Sequence, residues 1–215
     1  MKKIFLAIVT CAIIMITPCN ILAASAGSYH SNQITSSTMS RQTYTKNEKR
    51  AISVTKGFLK KFRQYDFNGT TKYQTGKLGY TYWEKNSQFY SISKKMFTKK
   101  FSYKIIKITS SGNNVKIKVK VIYPDAYFQA YKAMDDSYSY TLKHPKQSSN
   151  YIVYHYTFPR IIQRIKKYGI EKDSSIITFT VKKTKKGQRI SKMNGGKEIA
   201  LMGISDAIED WADQW

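Results

Sequence analysis

The clearest pattern in the chain is an alternation of apolar and basic residues over 114–123. The two alternating sets are the apolar Val115, Ile117, Val119 and Val121 and the basic Lys116, Lys118 and Lys120. Because successive side chains of a strand point to opposite faces, this predicts a strand with a core face and an exposed row of lysines. The turn residues Ser110-Ser111-Gly112-Asn113 precede it, so we expect a hairpin with 103–109.

A second hairpin is predicted near the C-terminal end. Residues 175–183 form its first strand, with Ile177, Phe179 and Val181 facing the core. Lys185-Lys186-Gly187 turns the chain into a partner strand over 188–193, and Gly195-Gly196 ends that strand. The fold class is therefore α+β, with an antiparallel sheet and helices around it.

Helices are predicted in five other segments, although the spacing of aromatic residues over 70–101 does not by itself decide between helix and strand. Thr45 and Glu48 have capping-box spacing and begin a helix that ends near residue 65. A short helix over 87–98 follows, with irregular structure over 70–86. Between the hairpins, Pro124-Asp125 opens a helical insertion and a polar loop leads to a helix from Pro159 to Gly169. A last helix covers 198–211, with Leu201, Ile204, Ile208 and Trp211 inward.

The N-terminus has the features of an export signal. Lys2 and Lys3 precede an uncharged apolar run, and Ala24-Ser25-Ala26 supplies small residues for cleavage. We expect a signal peptide over 1–26 and a secreted, cell-envelope-associated protein with no transmembrane segment after cleavage. An uncleaved anchor and a lipoprotein modified at Cys19 are the alternatives. Both cysteines, Cys11 and Cys19, lie in this segment, so no disulfide or thiolate site is expected in the mature chain.

The remaining chain divides into a spacer and one domain. Residues 27–44 are rich in Ser, Thr, Asn and Gln and predict a flexible polar spacer. Residues 45–215 form a single α+β domain of ordinary size. Apolar residues make up 41% of the whole chain, which is enough for a packed core.

Charge indicates the kind of partner. The formal net charge is +24, and loss of Lys2 and Lys3 with the signal peptide leaves +22. Such an excess attracts anionic surfaces through long-range forces and counterion release. For an exported protein the candidates are wall polymers, anionic lipid head groups and extracellular DNA. We expect an anionic polymer or a membrane surface, and favour a wall polymer over nucleic acid.

The order of elements resembles that of a known group. The matching residues are Val119-Lys120-Val121-Ile122-Tyr123-Pro124-Asp125, Ile177-Thr178-Phe179-Thr180-Val181-Lys182-Lys183 with Gly187-Gln188-Arg189-Ile190, and the last helix. These resemble small secreted or lipid-anchored proteins of Gram-positive bacteria with a nuclear transport factor two-like fold. That group usually has Trp-Lys-Ile where this chain has Gln188-Arg189-Ile190. The resemblance implies a curved sheet wrapped around helices as a cone with a pocket, but no activity.

Catalytic chemistry has little support in the sequence. No catalytic motif, phosphate loop or metal-ligand spacing is present, so we name no catalytic residue and expect no cofactor or metal. His155 between Tyr154 and Tyr156 is the one candidate for an acid–base pocket, although a surface or structural role is commoner. This leaves a small secreted enzyme as the alternative function. Oligomeric state and ligand identity are not predicted.

The preferred function is non-enzymatic binding of anionic polymers. If the two hairpins are neighbours in one sheet, their exposed basic residues form one patch. The predicted anion-binding residues are Lys116, Lys118, Lys120, Lys182, Lys185, Lys186 and Arg189.

Overall fold

A computed structural model of the chain describes residues 43–75, 87–194, 199 and 202–214. The predicted signal peptide and nearly all of the predicted spacer lie outside these residues. So do residues 76–86, which belong to the segment predicted to be irregular, and Leu201, which was predicted to face the core.

The first helix, α1 (Lys46–Arg63), begins where the capping box predicts. Thr45 Oγ1 accepts a hydrogen bond from the Glu48 amide at 3.2 Å, and Glu48 Oε2 accepts one from the Thr45 amide at 2.9 Å. Both bonds satisfy backbone donors that have no partner inside the helix. A one-turn helix α2 (Phe67–Thr70), a 3-10 turn (Thr71–Tyr73) and α3 (Ser87–Lys100) follow.

Four antiparallel strands form one open sheet in the order β1-β2-β3-β4. The predicted first hairpin is β1 (Ser102–Ser111) with β2 (Asn114–Asp125), and the second is β3 (Glu171–Thr184) with β4 (Gly187–Asn194). β2 pairs with β3 along its whole length, from Asn114 opposite Lys182 to Asp125 opposite Glu171. Both predicted hairpins are confirmed, and they are neighbours in one sheet.

One face of the sheet packs on α1 and α3 and forms the core. Its buried strand residues include Val115, Ile117, Val119, Val121, Tyr123, Ile177, Phe179, Val181 and Ile190. Phe58 of α1 meets Phe179 with ring centroids 5.5 Å apart, and Phe62 meets Phe97 of α3 at 5.4 Å. Each fully buried aromatic or branched side chain stabilises the fold by about 1.5–3 kcal/mol. The sheet is thus anchored by its inner face, and its other face is left open.

A helical insertion joins β2 to β3, as predicted. It consists of α4 (Tyr127–Lys143), α5 (Ser149–Ile152), a π-helical turn (Val153–Thr157) and α6 (Phe158–Tyr168). The helix predicted from Pro159 to Gly169 is α6, which begins one residue earlier with Pro159 in its first turn, but the helical turns from Ser149 to Thr157 that precede it were not predicted. A proline ring inside an α-helix clashes with the carbonyl four residues back. Here the Phe158 amide bonds to the Val153 carbonyl five residues back, so the turn before Pro159 is wider.

The C-terminal segment contains a break that the sequence analysis did not predict. Ile199 is helical, but Met202 and Gly203 adopt left-handed backbone with φ of 54° and 69° before α7 (Ile204–Ala212) begins. The Met202 carbonyl accepts a hydrogen bond from the Ala126 amide at 2.8 Å. The single helix predicted over 198–211 is therefore wrong at its centre. Its last part packs on α4 with Ile208 and Trp211 buried.

The observed fold class is α+β: an open antiparallel sheet covered by helices on one face. Gly169 ends α6 with φ of 77°, as the sequence predicted. The cone arrangement implied by the family resemblance is a finer statement and stays a prediction.

Candidate anion-binding site

The outward face of the sheet is exposed and strongly basic. We define this basic face as the side on which Lys116, Lys118 and Lys120 lie, and strand register places residues of all four strands on it. Its basic residues are Lys104 and Lys107 on β1, Lys116, Lys118 and Lys120 on β2, Lys172 and Lys182 on β3, and Arg189 and Lys192 on β4. Within the four strands, no outward position holds Asp, Glu or an aromatic residue.

Local sequence explains why so many basic residues share this face. On β2 and β3, strict alternation puts every second residue outward. β1 has a register shift between Ile105 and Lys107, and β4 has one where Ile190 and Lys192 pair with successive residues of β3. The unpaired extra residues are Ile106 and Ser191. An extra residue shifts the inward–outward alternation by one position, so the residue that follows it points outward instead of inward. Lys107 and Lys192 are brought onto the basic face in this way.

Three pairs of like charges stand directly opposite each other across the strands. Lys104 pairs with Lys120, Lys107 with Lys118, and Lys182 with Arg189. Opposite positions on one face bring Cβ atoms to about 4.5–5.5 Å, and like charges there destabilise a sheet by up to about 1 kcal/mol per pair. The basic face therefore carries a local electrostatic cost that folding alone does not explain.

Acidic side chains do not offset this cost. The salt bridges of the described residues join Lys61 to Asp66, Lys132 to Asp135, and Asp136 to both Arg160 and Arg164. None of these pairs includes a residue of the basic face. Asp136 accepts from Arg160 Nε at 2.7 Å and from Arg164 Nη1 at 3.3 Å, so it links α4 to α6.

Two other acids accept hydrogen bonds from tyrosine hydroxyls, one between β2 and β3 and one between α4 and α7. Asp173 accepts from the Tyr123 hydroxyl at 2.7 Å, and burial together with this bond raises the pKa of Tyr123. Asp210 accepts from the Tyr127 hydroxyl at 2.6 Å, which raises the pKa of Tyr127 to about 12. Both tyrosines therefore keep their protons at neutral pH and act as structural donors.

The remaining predicted patch residues lie beside the basic face. Lys185 and Lys186 are exposed in the turn between β3 and β4. Arg189 is half-buried and donates from Nη1 to the Gln188 carbonyl at 2.7 Å. The seven residues predicted for the patch thus lie on one exposed face and at its adjoining hairpin turn.

The residues predicted for an acid–base pocket lie elsewhere, in the π-helical turn. Tyr154 and His155 are exposed, and the His155 ring stacks on Tyr151 at 4.4 Å. Tyr156 stacks on Tyr140 at 4.0 Å. A shallow depression of about 70 Å³ is present on α6, and its lining residues are Arg160, Gln163, Arg164, Lys167 and Tyr168. The three predicted pocket residues do not line that depression.

Sequence reasoning missed four basic residues of the face. Lys104 and Lys107 lie in a strand that was predicted, but the bulge hides their common orientation. Lys192 is hidden by the second bulge, and Lys172 precedes the predicted start of its strand. A search for basic residues on every strand, allowing one inserted residue, would have found them.

Comparisons with protein-family models, with curated proteins and with solved structures found no match to this chain. In the part of the chain that the structure describes, no helix is long and apolar enough to cross a membrane. The same residues contain no group of three or more His, Cys, Asp or Glu side chains placed to hold a metal ion.

Proposed function

We propose that this protein is a secreted, non-enzymatic module that binds anionic polymers of the cell envelope through its basic face. The observation that carries the proposal is the set of directly opposed cations on the sheet, Lys104 with Lys120, Lys107 with Lys118, and Lys182 with Arg189. An anion lying over the strands is attracted by both cations of a pair, and these two attractions offset the repulsion between the cations. Binding then recovers the cost that the free sheet carries.

The enzyme alternative has no comparable support. An acid–base site needs a titratable group held in a cavity beside the reacting atoms. His155 is exposed and stacked on Tyr151, and the depression on α6 is lined by basic and amide side chains with Tyr168. A contiguous charged surface requires no such cavity, which favours binding over catalysis.

Export and family membership belong to the same proposal. The signal peptide expected over 1–26 would deliver the domain to the cell envelope, where its positive charge can attract anionic polymers. N-terminal sequencing of secreted material should begin near Ser25 or Gly27, whereas a lipid-modified Cys19 would indicate a lipoprotein. A nuclear transport factor two-like cone is the proposed finer description of the fold.

Salt-dependent retention on immobilised heparin and on purified cell wall tests the binding proposal. We compare the wild type with two variants that change net charge equally. The face variant carries Lys116→Glu, Lys118→Glu, Lys120→Glu and Lys182→Glu; the helix variant carries Lys49→Glu, Lys56→Glu, Lys94→Glu and Lys95→Glu. All eight of these lysines are exposed.

The face variant should elute at much lower salt than the helix variant on both supports. Counterion release rises with the number of polymer charges that the protein neutralises, so removing lysines that touch the polymer has the larger effect. Equal reductions in retention for the two variants would show that net charge alone causes binding. In that case the proposed role of the basic face is wrong.

A further inference from the structure

The two strands of the first hairpin present a regular ladder of cations. We define the lysine ladder as Lys104 and Lys107 of β1 with Lys116, Lys118 and Lys120 of β2. Lys120 faces Lys104, Lys118 faces Lys107, and Lys116 faces Thr109. Neighbouring strands are about 4.8 Å apart and successive outward residues of one strand about 7 Å apart. The rungs are therefore narrow and are evenly spaced along β2, and the bulge in β1 keeps Lys107 opposite Lys118.

This spacing suits a single chain with regularly repeated charge. An extended polymer in which glycerol joins successive phosphates repeats its charge at about the same interval as the rungs. If this polymer lies between β1 and β2, one phosphate can sit at each rung. At two of the three rungs the phosphate is contacted by a lysine from each strand, and at the third by Lys116 alone. Thr178 and Thr180 lie beside Lys118 and Lys116 on β3, where their hydroxyls can bond to the polymer's own hydroxyl groups.

Composition of the basic face argues against two other polymers. Proteins that bind single-stranded nucleic acid stack the bases on aromatic rings, and sugar rings commonly pack against aromatic faces as well. Aromatic residues make up 14% of this chain, yet the outward positions of the described strands contain none. A stacked nucleic acid strand would have to unstack its bases to match the spacing of the rungs. The basic face has no aromatic ring on which the unstacked bases could pack, so the lost stacking energy would not be replaced.

A lipid surface is also a poor match. Basic surfaces that bind bilayers add aromatic or large apolar side chains that insert among the acyl chains. Ile122 of β2 also faces outward but is half-buried, so the exposed large apolar side chains of the basic face are Ile176, which is 50% exposed, and the bulge residue Ile106 at 39%. These lie on different strands, β3 and β1, with β2 between them.

We infer that the ligand is a linear polyol-phosphate chain, bound along the lysine ladder by its phosphodiester groups. This inference rests on the proposed function and names the ligand class for the basic face. It requires no aromatic contact and no pocket. Its affinity comes from paired lysines at each rung, so it depends on the ladder more than on the other basic residues of the sheet.

Affinity for a synthetic glycerol-phosphate oligomer, measured as a function of salt, tests the inference. Neutralisation of three phosphates, one at each rung, predicts a slope of log K against log salt of about −2.1, since a single strand gives about −0.7 per phosphate. The ladder variant Lys116→Gln/Lys118→Gln should weaken the slope by about 0.7 to 1.4, because the rung of Lys116 loses its only lysine while the rung of Lys118 keeps Lys107. The variant Lys182→Gln/Lys192→Gln removes two exposed cations from the same face outside the ladder and should weaken it by clearly less.

Competitors separate the polymer classes. An oligodeoxyadenylate with the same number of phosphates should bind about tenfold more weakly or worse, because its bases must unstack. Equal binding of the two oligomers, tighter binding to anionic lipid vesicles, or equal slopes for the two variants would each overturn the inference. Equal binding of the two oligomers or equal slopes would leave the proposed function intact, whereas tighter binding to the vesicles would replace anionic polymers with the membrane surface as the partner. Absence of salt-dependent binding to heparin, cell wall and every oligomer would refute the proposed function itself.

Discussion

Reversal of one lysine on the basic face should stabilise the protein while weakening its binding. Lys118 is exposed at the centre of the lysine ladder and stands directly opposite Lys107. In Lys118→Glu, the repulsion in this pair becomes an attraction. Natural proteins often keep such local costs where a binding surface needs them.

The expected stabilisation follows from the cross-strand geometry. Opposite charges in facing positions gain roughly 0.2–1 kcal/mol and like charges lose a similar amount, so reversal of Lys118 should gain about 0.5–2 kcal/mol. For a domain of this size, 1 kcal/mol shifts the melting temperature by about 2–4 °C. Lys118→Glu should therefore melt several degrees above the wild type at low salt, and the gain should shrink as salt is added.

A double-mutant cycle and a control variant isolate the pair. Lys107→Glu/Lys118→Glu restores a like-charge pair, so its gain should be smaller than the sum of the two single gains. Lys94→Glu changes net charge equally at an exposed helix position with no charged residue three or four positions away, and it also removes a contact of Lys94 Nζ with the Tyr90 ring at 5.7 Å. It should leave the melting temperature unchanged or slightly lower it. If Lys118→Glu and Lys94→Glu shift the melting temperature alike, or the cycle is additive, the opposed-cation account is wrong.

Three other predictions test the fold. Val119→Lys should cost several kcal/mol because Val119 is fully buried, whereas Lys118→Val should cost little; equal losses in chemical denaturation would refute the strand register. Gly203→Ala should be strongly destabilising, because φ is 69° and a Cβ would lie 2.5 Å from Asp125 Oδ1; an unchanged melting temperature would contradict the observed turn. Bonds from Thr45 and then Ser110 lower the pKa of Glu48, so its contribution is present above its unfolded pKa and is lost as pH falls through the folded value. Wild type should thus lose more stability than Glu48→Gln between about pH 5 and pH 3, and parallel curves would show that the capping carboxylate contributes nothing.

Regular, local patterns made much of the fold predictable. The alternation over 114–123 specified the strand, its buried residues and its exposed lysines, because a half-buried strand requires that pattern. The capping box at Thr45 likewise fixed the start of α1. Each of these features is decided by residues close together in sequence.

Features decided by distant contacts were missed. The break at Met202 and Gly203 depends on a hydrogen bond to Ala126 and on close approach to Asp125, both far away in sequence. The helical turns from Ser149 to Thr157 were missed because a proline usually has no helix before it, and the π-helical turn removes that constraint.

The candidate site was predictable only in part, for the same reason. Its lysines on β2 and β3 follow from alternation, whereas Lys107 and Lys192 reach the basic face through bulges. Pairing of β2 with β3 is a long-range contact that the sequence allowed but did not require. The opposed cations, which carry the functional proposal, appear only when the register is known.

Chemical footprinting of lysines tests the central claim most directly. Acetylation rates of individual lysines can be measured by mass spectrometry with and without saturating heparin, at a salt concentration where binding is retained. The account predicts strong protection of Lys104, Lys107, Lys116, Lys118 and Lys120, and little protection of Lys56 and Lys94 on the helices. Uniform protection of all exposed lysines, or stronger protection on the helices than on the sheet, would contradict it.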